Sequence, residues 1–343
     1  MAKRVTVKQI ADDLGISVMT VSRALNSRPN VDDKTKERVV NAAMRLGYIP
    51  NLIAKSLVEK KTYTIGVVVP EITHSFFPEV IRGIEEVAHS HKYQLILTHT
   101  AENAERETAA LKTLASKRVD GILISTAESM KGTEIYKQMQ NIGLPIVFFD
   151  RCVYNIGASC VGIDDENSAK RITEHLIEQG YTKIAHLSGP LSVSIGKARY
   201  NGFKLALKKH NIPLNKNLVM EAGFHEMGGY VAMKKLLLLP PEELPEAVVA
   251  VNDPCAFGAM QAILDHGFKL PDDIAIVGFS DDIRAELMST PLTTVRQPAY
   301  EVGKAAAKKL LAHIDNKNEK PENITINTEL IIRESSVRQH KEY

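Results

Sequence analysis

Between residues 17 and 26 one short stretch carries Ser17, Thr20, Ser22, Arg23 and Asn26, interleaved with the apolar residues Val21, Ala24 and Leu25. Hydroxyls and an amide at that spacing bind phosphate oxygens, and an arginine reaches either a phosphate or the acceptor edge of a guanine. Val18 and Met19, at the first exposed positions of the same helix, offer apolar contact of the kind that reads a thymine methyl. These residue types point to nucleic acid. Enzyme chemistry has no comparable cluster, since the chain contains no P-loop, no HExxH, no paired-cysteine metal spacing and no GxSxG turn. His74, His99, His186 and His225 are scattered along the sequence and read as structural or exposed. The expectation is a protein that is not an enzyme and needs no cofactor or metal.

Three helical patterns must position that polar edge. Val7, Ile10, Ala11 and Leu14 recur at i, i+3, i+4 and i+7 after Thr6, a plausible N-cap, and Gly15 ends the run. Ser17 caps a second helix with Val21, Ala24 and Leu25 on its inner side. The third runs from Asp32 to Leu46, stops at Gly47 and turns Val39, Ala43 and Leu46 inward. A helix, a glycine turn and a second helix make a helix-turn-helix, whose second helix enters the major groove. Residues 51–58 tolerate a helix behind an Asn51 cap, but one or two turns do not repay nucleation, so the segment is a linker that folds only when held.

From Thr64 onward short apolar runs alternate with amphipathic stretches. The runs lie at 64–70, 94–98, 121–124, 145–149, 183–187, 247–251 and 274–278, with a helix over about 78–91. Such alternation predicts parallel sheets covered on both faces, and the units are too many for one sheet. At 343 residues the chain exceeds a single core. Its charge is also divided, with 12 Lys and Arg against 6 Asp and Glu in residues 1–62 and an acidic excess in the remainder. A basic head on an acidic body suits a polyanion partner for the head. No apolar run marks a signal peptide or a membrane span, which predicts a cytoplasmic protein and disfavours an exported solute-binding protein. Cys152, Cys160 and Cys255 show no pairing pattern and read as free core thiols in a reducing compartment.

The segment TVKQIADDLGISVMTVSRALN, followed by VDDKTKERVVNAAMRLGYIPNLIAKSL, resembles the headpiece of the LacI/GalR family of bacterial repressors. The resemblance extends over nearly the whole chain through IGVVVPEITHSFFPEVIRGIE, DGILI, the ARYNGF stretch, AVNDPCAFGA and PLTTVRQPAYEVGKAA. It implies a three-helix helix-turn-helix headpiece (1–49), a hinge helix and linker (50–62), and a periplasmic-binding-protein-like α/β core (63–343). The core would have two doubly wound parallel-sheet lobes, about 63–162 with 293–323, and 163–292 with 324–343. It further implies a homodimer on a near-palindromic operator, with Leu57 wedged into the minor groove beside Asn51, Ala54 and Lys55. Thr6, Ser17, Val18, Met19, Thr20, Ser22, Arg23 and Asn26 are the expected headpiece contacts.

The family binds a small effector between its lobes, and Arg199 matches the arginine that its members point at ligand hydroxyls or carboxylates. Asn252-Asp253 closes an apolar strand at its carboxyl end, where parallel sheets bind ligands, and also suits a helix N-cap. Phe76, Phe77 and Phe224 follow strands and could stack on a sugar's C–H face or a nucleobase ring, while Asp150-Arg151 and Asp281 could add polar contacts. Two departures stand out. Ser280 occupies a position where many relatives have aspartate, and Val193 stands where purine-responsive members carry a second arginine. The first weakens any carry-over from particular sugar repressors, and the second favours a sugar or sugar acid over a nucleobase as the effector. The resemblance places the protein in the bacterial cytoplasm, nucleoid-associated when bound, and excludes a membrane partner.

Overall fold

A computed structural model describes residues 5–26, 29–49, 61–127 and 132–338. They fall into two compact units, Met1–Thr62 and Tyr63–Tyr343.

The first unit holds α1 (Val7–Leu14), α2 (Val18–Leu25) and α3 (Asp33–Leu46). Each begins on a side-chain cap. Thr6 Oγ1 accepts from the Gln9 amide while Gln9 Oε1 accepts from the Thr6 amide, a closed capping box. Ser17 Oγ accepts from the Thr20 amide at 3.0 Å, and Asp32 Oδ1 from the Thr35 amide at 2.9 Å. Caps of this kind contribute about 1 kcal/mol each, which matters where helices of eight residues are marginal alone. Gly15, at φ 64°, makes the left-handed turn between α1 and α2. Ile10, Ala11, Val21, Ala24, Val39, Ala42 and Ala43 close the small shared core.

The second unit is built on two parallel sheets. The first lobe contains β1 (Thr64–Val69), α4 (Phe76–Ser90), β2 (Gln94–His99), α5 (Ala104–Ser116), β3 (Gly121–Ile124), α6 (Glu134–Asn141), β4 (Ile146–Phe149) and β5 (Ser159–Ile163). The chain then crosses to the second lobe for α7 (Asp165–Glu178), β6 (Ile184–Ser188), α8 (Ser194–Lys209), β7 (Val219–Glu221), α9 (Glu226–Leu236), β8 (Ala247–Ala250), α10 (Asp253–Asp265), β9 (Ala275–Val277) and β10 (Thr294–Arg296). It returns for α11 (Ala299–Asp315) and β11 (Asn323–Ile326), and crosses a last time to β12 (Glu329–Ile331). The first sheet is ordered β11-β5-β4-β3-β1-β2 and the second β7-β6-β8-β9. Apolar side chains cover both faces of each sheet, as the continuous apolar runs predict. In the first lobe α4 and α11 touch backbone to backbone, because a Cβ on Gly83 would stand 2.1 Å from the Tyr300 carbonyl oxygen and one on Gly303 2.0 Å from that of Val80.

Three crossings join the lobes, and two differ from the sequence expectation. Residues 293–296 stay with the second lobe, because Thr293 bridges Val277 and β10 pairs antiparallel with β12. Strand β11, which the expectation split at 323/324, belongs whole to the first sheet beside β5. Edge strands this short carry too little periodicity to place a crossing. The cysteines are a further correction. Cys152 and Cys160 form a disulfide with Cα atoms 5.9 Å apart, and only Cys255 is free and buried. The connection from β4 folds back so that β5 runs parallel beside it, and a separation of eight residues carries no motif that announces the bond.

Candidate nucleic-acid interface and effector cleft

Helix α2 buries Val21 and Ala24 and turns Ser17, Val18, Met19, Ser22, Arg23 and Asn26 outward. Val18 is 48% and Met19 63% exposed, a large apolar exposure at the start of a helix that packing does not use. An exposed methionine beside hydroxyls and an arginine is a surface made for contact. Some of the polar groups are partly engaged. Ser17 Oγ caps α2 and shares a 2.9 Å hydrogen bond with Thr20 Oγ1, while Asn26 Nδ2 donates to the Ser22 carbonyl at 2.8 Å. Thr6 is held in its capping box and remains exposed. Asn51, Ala54, Lys55 and Leu57 lie outside the described residues.

In the second unit a cleft, open in part to solvent, lies between the lobes. Phe76, Phe77, Asp150, Arg151, Arg199, Phe224 and Asn252 all line it, so residues from four strand ends and from helix α8 converge. Arg199 on α8 donates from Nε to Asp165 Oδ1 at 2.8 Å and from Nη1 to the Val251 carbonyl at 2.7 Å, with its guanidinium 3.7 Å from the Phe279 ring centre. Two of its five N–H groups are thereby fixed, and the fork is oriented before any ligand arrives. Arg151 is paired with Glu102 through both terminal nitrogens and lies over the Phe224 ring of the opposite lobe at 4.4 Å. Its Nε has no hydrogen-bond partner and sits 3.9 Å from Asp150 Oδ2.

Burial pushes the Asp150 carboxyl up to about 6, against the pull of Arg151. Asp150 also holds a left-handed φ of 59°, unusual for a residue with a side chain. Glu102 and Ser280, which line the same cavity, lie at positive φ too. Asn252 serves both functions the sequence left open, lining the cavity while its Oδ1 caps α10 through the Cys255 amide. Its Nδ2 donates to the Phe224 carbonyl at 2.9 Å and so positions that ring.

Two expected contacts are corrected. Asp253 is fully buried and off the cavity wall, accepting from Thr294 Oγ1 at 2.6 Å and from the Asp282 amide at 2.7 Å. Asp281 points away and pairs with Arg296 and Arg333. Asp282 faces the cavity instead. Burial opposes its charge, but hydrogen bonds from Arg284 hold its carboxyl below the usual range. Its Oδ2 accepts from Ser75 Oγ at 2.9 Å, a contact from one lobe to the other across the mouth. Val193 lies in the second lobe's core, so no cation stands there.

Residues 6–51 match the family described as bacterial regulatory proteins, lacI family. Residues 62–334 match periplasmic binding proteins and sugar binding domain of LacI family. The ribose operon repressor of Halalkalibacterium halodurans is 34% identical over 96% of this chain and 97% of its own length. The transcriptional repressor PurR of Mannheimia succiniciproducens is 34% identical over 96% of this chain and 98% of its own. The crystal structure of the lac repressor dimer bound to operator and the anti-inducer ONPF superimposes with a TM-score of 0.86, at 26% identity over 98% of this chain and all of that one. The chain belongs to the LacI family of bacterial regulatory proteins.

It is accordingly a DNA-binding transcription regulator and not an enzyme, with a LacI-type helix-turn-helix ahead of a periplasmic-binding-protein-like core. Within this LacI-family core, sequence reasoning missed Glu71, His74, Glu102, His225, Asp282 and Gln297 on the cavity wall. A signal for most of them was present. Glu71 and His74 follow β1, Glu102 follows β2, His225 follows β7 and Asp282 follows β9, all at carboxyl ends of parallel strands. The rule that singled out Asn252 applies equally to those turns. Among the described residues no helix is long and apolar enough to cross a membrane.

Proposed function

We propose that this regulator is a repressor that binds a near-palindromic operator as a homodimer in the bacterial cytoplasm, nucleoid-associated when bound, and that a sugar or sugar acid in the cleft controls its operator affinity. The effector-binding set would be Phe76, Phe77, Asp150, Arg151, Arg199, Phe224 and Asn252, joined by Asp282 and Gln297. One observation carries the effector reading: charged forks and carboxylates converge with three phenylalanine rings in a single interlobe cavity. Polyols and sugar acids combine a C–H face for the rings with paired oxygens for the arginines. The repressor and dimer readings rest on similarity to proteins that carry those descriptions. The DNA contacts would come from Thr6, Ser17, Val18, Met19, Thr20, Ser22, Arg23 and Asn26, and from Asn51, Ala54, Lys55 and Leu57 of the hinge. Effector binding would alter the lobe angle and, through it, the pairing of the two hinge segments.

The test is a thermal-melt screen of the full chain against sugars, sugar acids, sugar phosphates and nucleobases, followed by operator titration with each hit. At about 100 times its dissociation constant a ligand stabilises by about 2.7 kcal/mol, a shift of several degrees for a core of this size. A sugar-class hit that also changes operator affinity supports the reading. A hit that saturates the core and leaves operator affinity unchanged defeats it.

A further inference from the structure

His74 and His225, scattered in sequence, meet at the cleft. His74 Nε2 stands 3.2 Å from His225 Nδ1, and that nitrogen stands 3.8 Å from Glu71 Oε2. Among the described residues these three form the one group of His, Cys, Asp or Glu donors compact enough to hold an ion, with all donor atoms within 4.8 Å of one another. Glu71 and His74 belong to the turn after β1 in the first lobe, and His225 immediately precedes α9 in the second. The site is therefore complete only when the lobes are together.

We propose that Glu71, His74 and His225 bind a divalent transition-metal ion of the zinc type, which joins the two lobes at the mouth of the cleft. Zinc–nitrogen and zinc–oxygen bonds of about 2.0–2.2 Å on a tetrahedron put neighbouring ligand atoms roughly 3.3–3.5 Å apart. The observed 3.2 and 3.8 Å separations lie close to that spacing, and the third, between His74 and Glu71, is at most 4.8 Å. Two imidazoles and one carboxylate select zinc, cobalt or nickel over magnesium and calcium, which prefer all-oxygen shells.

The carboxylate is already oriented for the task. Glu71 Oε1 accepts from the Ile72 and Thr73 amides at 2.6 and 2.7 Å, which fixes the group and leaves Oε2 directed at His225. Arg284, whose charge acts on His74, is itself paired with Glu226 and Asp282. All three donors line the interlobe cavity, so the ion's remaining position is open to water or to an oxygen of a cleft ligand. An ion that binds only the closed arrangement shifts the lobe equilibrium toward it.

The experiment uses untagged full-length protein stripped with a chelator, with neither effector nor DNA, so its outcome is independent of the sugar reading. Zinc chloride at about a hundredfold excess over a micromolar dissociation constant should raise Tm by several degrees, with one zinc per chain by calorimetry. Magnesium should not. His225→Ala and His74→Ala should each lose the shift, and Glu71→Gln should reduce it. His225 is 47% exposed, so its variant folds, and the metal-free melt verifies this. Cobalt should give visible d–d absorption in the wild type that is absent from His225→Ala. No zinc shift in the wild type, or an equal shift in wild type and His225→Ala, overturns the proposal.

Discussion

On α2 of the headpiece Arg23 is exposed beside Val18 and Met19, whereas in the core Arg199 is 3% exposed and bonded to Asp165 and the Val251 carbonyl. The first presents its charge from a helix of eight residues that needs no other segment to define its face. The second sits in a wall assembled from strand ends that span most of the core. An exposed charge costs folding little and keeps its whole interaction for the partner. A buried charge is expensive to desolvate, and Asp165 offsets that cost before any ligand binds. Arg23→Ala and Arg199→Ala should therefore separate binding from stability in opposite ways.

The larger effect belongs to the core. Arg199→Ala leaves Asp165, whose carboxyl burial already pushes above its ordinary value, without the cation that opposes that push. Breaking such a pair from one side costs about 3–5 kcal/mol. Denaturant titration of the core transition should show that loss, and the variant should also lose the melting shift given by any cleft effector. A core that keeps its stability in Arg199→Ala would mean that the arginine is held more loosely than its geometry implies, and the contrast with Arg23 would fail.

Asp253 sharpens the same contrast through pH. Burial pushes its carboxyl up to about 7 from 3.8, with hydrogen bonds from Thr294 and the Asp282 amide acting against the push. Between those values the folded chain holds a proton that the unfolded chain has lost. The contribution is therefore full below about pH 4 and is lost as pH rises through about 7. Relative to Asp253→Asn, the wild type should lose on the order of 4 kcal/mol across that window. Urea titrations of both proteins at several pH values measure the difference. Parallel profiles would show that Asp253 is charged at neutral pH despite its burial.

Arg23→Ala should leave the melt within about 0.5 kcal/mol, since exposed sites away from packing change stability little. Operator affinity should fall by about 1–3 kcal/mol if the arginine reads a base. If it contacts a phosphate, affinity should fall evenly across sequences and the salt slope should drop by about one. Operator titration at several salt concentrations distinguishes the two. An unchanged affinity would remove Arg23 from the interface.

Contiguity explains what was legible in the sequence. Thr6, Ser17, Asp32, Gly15 and Gly47 announce the headpiece helices because caps and turns act within four residues of themselves. The apolar runs announce the sheets for the same local reason. The cleft was legible only where the family resemblance or an obvious strand end pointed, which is how Arg199, Asn252, Asp150 and Phe224 were found. Asp281 and Asp282 are indistinguishable in the sequence, because adjacent residues on a tight turn face opposite ways and only the backbone decides which one faces the ligand. Here Ser280 and Asp281 both take positive φ, which carries Asp281 toward Arg333 and Asp282 toward the cavity. His74 with His225, and Cys152 with Cys160, were illegible because each pairing is made by tertiary or strand-neighbour geometry that no local pattern encodes.

The smallest expected effect tests the mouth of the cleft. Asp282 Oδ2 accepts from Ser75 Oγ of the other lobe, while its Oδ1 accepts from the Arg284 backbone amide and from Nε of the same residue. Ser75→Ala removes one acceptor contact from a carboxylate that keeps others, so the cost should be about 1 kcal/mol or less. Since the contact exists only while the lobes are together, the loss should appear mainly as a few-fold weaker effector affinity, with the headpiece's intrinsic affinity for DNA unchanged. Calorimetry with the effector found by the melt screen reads the change directly. Asp282→Asn in the same background should lower effector affinity further, because Asp282 also faces the cavity and holds Arg284. No further loss would mean that Asp282 acts only through its contact with Ser75 and does not belong to the effector-binding set.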